Sequence, residues 1–160
     1  MARPAYHSVV VRYFAYGSNM NVERMRERGM QFEMVVDARL HGFELQFHKT
    51  SRKHPDVGHA NVAYAPGATV EGVLYELSGP EEITRMDPFE SAPVNYSREV
   101  VQVVTPHGTL SSWTYFANPA VLQPGLKPPR SYLEHLLAGR PFLSDEYYQM
   151  LRSWDCLEDR

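Results

Sequence analysis

At 160 residues, with 43% hydrophobic and 12% aromatic content, the chain has the length of one domain and enough apolar material for a sizeable core. This excludes global disorder and makes one unit over residues 1–160 the expectation. Sixteen Lys and Arg against nineteen Asp and Glu leave a net charge of −3, without the basic excess that nucleic acid or an anionic membrane favours, so a small molecule is the expected partner. One cysteine, Cys156, supplies neither a disulfide nor a Cys/His zinc box and suits a reducing compartment.

Residues 1–8 lack the basic and apolar regions of a signal peptide, and no run approaches the ~20 apolar residues of a membrane span, so a cytoplasmic protein is expected. In chain order, β-branched and aromatic runs punctuated by Gly, Pro and Asn predict strands at 9–16, 34–40, 43–48, 60–65, 70–77, 98–104 and 111–116. Within 70–77 the charged residues are read as lying largely on one face, as in a half-buried sheet or barrel wall. Four short helices are predicted. The first, over 22–28, is capped by Asn19 or Asn21 and stopped by Gly29. The second runs from the box Ser78-Gly79-Pro80-Glu81 through Met86. The third, over 131–138, sets Tyr132, Leu133, Leu136 and Leu137 on one apolar face, and Ser144 caps the fourth, over 145–154. Strands in a run with helices between or after them, not strictly alternating, give an α+β layout.

Two segments carry candidate chemistry. Tyr13-Phe14-Ala15-Tyr16-Gly17-Ser18-Asn19-Met20 reads as a strand that breaks into a helix start, whose N–H groups form a pocket for a carboxylate or phosphate. The alternative is that Ser18 and Asn19 merely cap the helix. Downstream, Asp87-Pro88-Phe89-Glu90 and Tyr96 place two acids between prolines and aromatics, where a partly desolvated carboxyl suits proton transfer; the alternative is a pair of solvated loop acids. His54, Asp56 and His59 have part of a metal-site spacing but no third imidazole or thiolate nearby, and a metal-dependent amidase stays a rival on that basis. Neither G-x-G-x-x-G nor a P-loop occurs, which disfavours nucleotide-dependent chemistry.

The 13–20 segment followed by Asp87-x-x-Glu90 and Tyr96 resembles the gamma-glutamylcyclotransferase family. Ala38-Arg39-Leu40 before Phe43, the Gly72-Val73-Leu74-Tyr75 run and Pro129-x-x-Tyr132 extend the resemblance from Tyr13 to about Leu151. It implies a small mixed β-barrel flanked by short helices. It also implies a reaction without metal or cofactor, in which the α-amine of a γ-glutamyl substrate attacks its own γ-carbonyl, forms 5-oxoproline and expels an amine. By the same resemblance Glu90 is the general acid/base. Tyr16, Gly17, Ser18 and Asn19 would hold the glutamyl carboxylate or the oxyanion, Tyr96 and Tyr132 would line the pocket, and Asp87 would brace the loop. The acid loop looks closer to the gamma-glutamylamine cyclotransferase branch, and Tyr16-Gly17-Ser18-Asn19 closer to the branch acting on γ-glutamyl amino acids. Bacterial relatives that remove a γ-glutamyl protecting group share such mixed features, so the leaving amine stays open. A monomer or homodimer is expected, and a non-catalytic barrel that binds a small carboxylate is the rival of another class.

Overall fold

β1 (Arg12–Ala15) pairs on both sides. It runs antiparallel to β3 (Gly58–Leu77), from Arg12↔Glu76 to Ala15↔Val73, and parallel to β5 (Gly108–Ala117) through Tyr13↔Trp113. This double pairing closes a five-stranded mixed barrel in the order β1-β3-β2-β4-β5, with β2 at Phe32–Thr50 and β4 at Tyr96–Thr105. Closure leaves no free edge between the first and last strands. The computed structural model describes residues 10–51 and 53–159, so Val9 of the first predicted strand lies outside the described residues.

β2 and β3 each absorb two predicted strands. Breaks were expected near Gly42 and Pro66-Gly67, but the ladder continues through an irregularity: His41 pairs with Thr69 and Phe43 with Tyr64, which leaves residues 65–68 extra on β3. Gly42 and Gly67 both take φ of +85° there, a conformation glycine adopts without a Cβ penalty. An irregularity of this kind bends a strand pair without ending it, and a closed barrel needs such bends. Predicted strands 98–104 and 111–116 lengthen by a few residues into the hairpin of β4 and β5, paired from Tyr96↔Ala117 to Thr105↔Gly108.

The half-buried reading of 70–77 is corrected. Val70, Gly72, Val73, Leu74, Tyr75 and Leu77 are all buried, and Glu71 and Glu76, five apart, point to opposite faces. Phe14, Val70, Val73, Tyr75 and Val103 are fully buried in the core. Gly72 is required at its position: a Cβ would sit 2.3 Å from the Ala15 carbonyl oxygen and 2.6 Å from the Phe14 ring, so only glycine lets β1 lie this close to β3.

α1 (Val22–Glu27) starts at Asn21, whose Oδ1 accepts from the Glu23 and Arg24 N–H groups at 3.2 and 3.4 Å. The box at Ser78 does not form. α2 (Glu81–Met86) begins at Pro80 without a side-chain cap, because proline's fixed φ, here −65°, already matches the helix. α3 (Arg130–Leu137) buries Leu133 and Leu136 and packs over the 3-10 turn Ser18–Met20. α4 (Asp145–Arg152) is capped by Ser144 as expected, and both the N–H and Oγ of Ser144 donate to the Glu71 carboxylate at 2.7 Å. No helix among the described residues is long and apolar enough to cross a membrane.

Candidate active site

β1 delivers Tyr13 and, just past its end, Tyr16 to one end of the barrel, where the chain turns through Gly17 into Ser18–Met20. The cap of α1 being Asn21, the Asn19 side chain is released from the capping role considered for it. It is 2% exposed and forms a hub instead. Its Nδ2 donates to Glu90 Oε1 at 3.1 Å and to the Tyr13 hydroxyl at 3.0 Å, its Oδ1 accepts from Arg28 Nη1 at 2.9 Å, and its carbonyl accepts from the Tyr75 hydroxyl at 2.6 Å.

Glu90 reaches this hub because α2 runs directly into a second 3-10 turn, Asp87–Glu90, with Pro88 at its start and Ser91 closing it in the left-handed region at φ 49°. The backbone of Ser91 and Ala92 donates back to Pro88 and Asp87, and Asn118 Nδ2 ties down the following loop through the carbonyls of Pro93 and Val94. The two acids of the turn are not equivalent. Asp87 pairs with Arg98 and accepts from the Tyr115 hydroxyl at 2.6 Å. Glu90 as a residue is half-buried, but its carboxyl end lines an enclosed cleft, so neither acid is the solvated loop group of the alternative reading.

The cleft holds about 300 Å³ counting its open mouth, and Tyr13, Tyr16, Gly17, Ser18, Asn19, Ala60, Glu90, Tyr96, Tyr115 and Tyr132 line it. The structure therefore brings together all seven site residues read from the sequence: Tyr16, Gly17, Ser18, Asn19, Glu90, Tyr96 and Tyr132. The Tyr16 hydroxyl donates to the Tyr115 carbonyl, and the Tyr96 hydroxyl to the Ala60 carbonyl at 2.7 Å. The Tyr132 hydroxyl accepts from the Ala60 N–H at 3.1 Å. The cleft is narrow at Gly17, where a Cβ would lie 3.2 Å from Ala60 Cβ and 3.3 Å from the Tyr132 hydroxyl. α3 thus supplies a wall of the cleft through Tyr132.

Burial raises the Glu90 carboxyl above its ordinary value, against the opposing pull of Arg28, Lys49, the Asn19 hydrogen bond and Arg24. Burial also lifts the surrounding phenols: Tyr13, Tyr16 and Tyr96 rise well above the usual range and Tyr132 is pushed up to about 12. At neutral pH these tyrosines are neutral donors, and Glu90 is the group of this cluster nearest to exchanging a proton.

Tyr13, Tyr115 and Ala60 join the site without having been singled out. Tyr13 stood inside the motif with no role given it, whereas nothing in the spacing around Tyr115 or Ala60 marks them. Arg24 and Arg28, whose charges bear on Glu90, were likewise missed; Lys49, whose charge also bears on Glu90, belongs to the basic run 49–54 that reads as a solvated hairpin tip or a steering patch for an anionic substrate, and it is buried in β2 instead. The metal candidate does not assemble: the His59 ring lies 4.7 Å from that of Tyr132, while His54 and Asp56 border a separate surface cleft with Glu158 and Asp159. No group of three or more His, Cys, Asp or Glu among the described residues could hold a metal ion. A roomier, mainly apolar cleft of about 430 Å³ lies elsewhere, lined by Met34, Val36, Leu74 and Leu110 with Arg12, Glu76 and His107.

A family model described as "Gamma-glutamyl cyclotransferase, AIG2-like" matches residues 13–135. Human gamma-glutamylcyclotransferase is 35% identical over 69 residues, 41% of this chain and 37% of that protein, so the match spans well under half the length of this curated relative. An uncharacterized human protein superposes with a TM-score of 0.81 at 25% identity, over 94% of this chain and 91% of that one. A solved gamma-glutamyl cyclotransferase gives 0.78 at 25% identity, over 92% and 89%.

Proposed function

We propose, from the premise that the chain belongs to the gamma-glutamyl cyclotransferase, AIG2-like family, that it cyclises a γ-glutamyl group to 5-oxoproline and releases an amine or amino acid, with Glu90 as general acid/base. The observation that carries this reading is the Glu90 carboxyl: enclosed among neutral tyrosines, held by one amide of Asn19, and raised by burial above the ordinary carboxylate range. A carboxyl shifted upward is a better proton carrier near neutral pH than a solvated one.

In the proposed reaction Glu90 takes a proton from the substrate's α-ammonium, and the freed amine attacks the γ-carbonyl carbon. A five-membered ring closes, and the carbonyl oxygen carries the charge of the tetrahedral intermediate. Protonated Glu90 then gives its proton to the departing nitrogen as the C–N bond breaks. The second proton shed by the ring nitrogen follows it, so the leaving group departs as an ammonium. The nucleophile belongs to the substrate, and the protein's task is to hold amine against carbonyl, an arrangement that profits strongly from orientation. The backbone of Tyr16–Asn19 is proposed to receive the glutamyl carboxylate or the oxyanion, with Tyr96 and Tyr132 setting the walls. No step calls for a metal or cofactor.

The test is 5-oxoproline release from a panel of γ-glutamyl amino acids, γ-glutamyl amines and glutathione, run for the parent protein and Glu90→Gln. Release from at least one substrate, lowered in Glu90→Gln by about 10²–10⁴-fold, is expected. No release from any panel member, or full turnover by Glu90→Gln, would overturn the reading and leave a barrel that only binds.

A further inference from the structure

Arg28, at the C-terminal end of α1, is given no role by the reaction above, yet it touches both halves of the site. Its Nη1 donates to Asn19 Oδ1 at 2.9 Å, and its guanidinium lies 4.8 Å from the centre of the Phe89 ring, the neighbour of Glu90. We propose that Arg28 is a positioning residue that sets Glu90 through Asn19 and clamps the Asp87–Glu90 turn to α1 through Phe89. This rests on Glu90 being the proton carrier.

The argument starts from donor chemistry. A guanidinium has donors only, so the Asn19 oxygen must face Arg28 and its NH₂ must face the other way. On that other side stand Glu90 Oε1 at 3.1 Å and the Tyr13 hydroxyl at 3.0 Å. Were the amide turned over, its NH₂ would meet the donors of Arg28 and its oxygen would meet the carboxylate, two repulsions in place of two hydrogen bonds. Arg28 therefore fixes which end of Asn19 Glu90 sees. A planar fork suits both tasks at once, with its edge hydrogen-bonding Asn19 and its face stacking on Phe89, and a lysine cannot do both. Phe89 is 46% exposed, and the Arg28 guanidinium lies over its ring.

The other groups facing Glu90 do not replace Arg28. They are Arg24 of α1, Lys49 of β2 and the phenols of Tyr13, Tyr16, Tyr96, Tyr115 and Tyr132. Arg24 Nη1 is 3.3 Å from His135 Nε2, and Lys49 Nζ lies 5.6 Å from the Tyr96 ring centre. Arg28 Nη1 in addition donates to Asn19 Oδ1. Its removal takes away a nearby positive charge and the constraint on Asn19 together, and both changes favour the protonated carboxyl.

The experiment follows the Glu90 carboxyl by ¹³C NMR in glutamate-labelled protein and the pH profile of kcat/KM, in the parent, Arg28→Met, Arg28→Lys and Phe89→Ala. In Arg28→Met the Glu90 titration and the acidic limb move to higher pH, and kcat falls about 10- to 100-fold. Arg28→Lys keeps the titration close to the parent's but loses turnover, because charge is retained and orientation is not. Phe89→Ala, at an exposed position that leaves folding intact, lowers kcat with a smaller titration shift. An unmoved Glu90 titration in folded Arg28→Met, or Phe89→Ala indistinguishable from the parent, would overturn the clamp. The NMR titration is read without turnover, so absence of 5-oxoproline release by the parent protein would sink the functional reading separately.

Discussion

Asp87 and Glu90 stand at the two ends of one 3-10 turn and face different parts of the barrel. The Asp87 end meets the β4–β5 wall, where Arg98 Nε approaches Oδ1 at 3.1 Å, Arg98 Nη2 approaches Oδ2 at 3.2 Å, and the Tyr115 hydroxyl donates at 2.6 Å. The Arg98 guanidinium in turn lies 4.4 Å from the centre of the Trp113 ring. The Glu90 end meets Asn19 and a ring of phenols, and the charges of Arg28, Lys49 and Arg24 bear on it. A carboxylate held by a forked cation and a hydroxyl is fixed in its position. One that lines a buried cleft, held by the Asn19 amide and raised by burial, keeps a proton equilibrium available. Three residues of backbone thus separate a structural acid from a candidate reactive one.

The sharpest way to break this comparison is to neutralise each acid without changing its shape. Glu90→Gln is expected to cost about 10²–10⁴-fold in turnover with the fold intact. Asp87→Asn is expected to keep turnover within about tenfold while costing about 1.5–3 kcal/mol of stability, the range for a hydrogen bond to a charged partner. Turnover and melting temperature measured on both variants decide it. Equal losses of turnover with equal melting temperatures would show that the turn does not divide the work.

A smaller and opposite effect on stability sharpens the contrast. Burial raises Glu90 above 4.5, so between that value and its folded value the folded chain holds a proton that the unfolded chain has lost. Stability therefore falls as pH rises through this window, and the deficit is complete above it. Glu90→Gln has no charge to bury, so it should melt above the parent protein at pH 8, with the gap closing toward pH 4. Thermal melts across that range read it directly, and a gap independent of pH would mean that the carboxyl is not enclosed as described.

How far the sequence reveals these two ends depends on contact range. The α+β class, the Ser144 cap and the four helices rest on neighbours a few residues apart and were readable from local chemistry, whereas the choice between Asn19 and Asn21 as cap of α1 was left open and falls to Asn21. The merging of four predicted strands into β2 and β3 was not, because Gly42 and Pro66-Gly67 look alike whether they end a strand or bend it, and only the partner strand decides. The box at Ser78 failed because Pro80 supplies a helical φ on its own. Asn19 and Glu90 are 71 residues apart, and Tyr16 and Tyr115 are 99 apart. Barrel closure brings them together, which no spacing rule reports; resemblance to a family pointed to Glu90 and to Tyr16–Asn19, and it left Tyr13, Tyr115 and Arg28 without roles. As acids between prolines Asp87 and Glu90 read alike; only the resemblance separated a bracing Asp87 from a proton-carrying Glu90, and Arg98 and Asn19 stand opposite them in the structure.

The smallest effect concerns the wall on which the Glu90 end depends. Tyr96 and Tyr132 meet at one residue of β3: the Tyr96 hydroxyl donates to the Ala60 carbonyl at 2.7 Å, and the Tyr132 hydroxyl accepts from the Ala60 N–H at 3.1 Å. One peptide residue thereby holds two phenols at fixed positions on the cleft. Tyr96→Phe removes the first bond and keeps the ring under Lys49, whose Nζ is 5.6 Å from its centre, so the change isolates the hydroxyl. A net cost of about 0.5–1.5 kcal/mol is expected for the lost hydrogen bond. If the wall positions the substrate, a cost of that size appears as a loss of about two- to tenfold in kcat/KM, carried mainly by KM. Steady-state kinetics on Tyr96→Phe measure both parameters. An unchanged kcat and KM with a lowered melting temperature would assign Tyr96 to strand packing and confine the reactive end of the turn to Asn19, Glu90 and the phenols of β1 and α3.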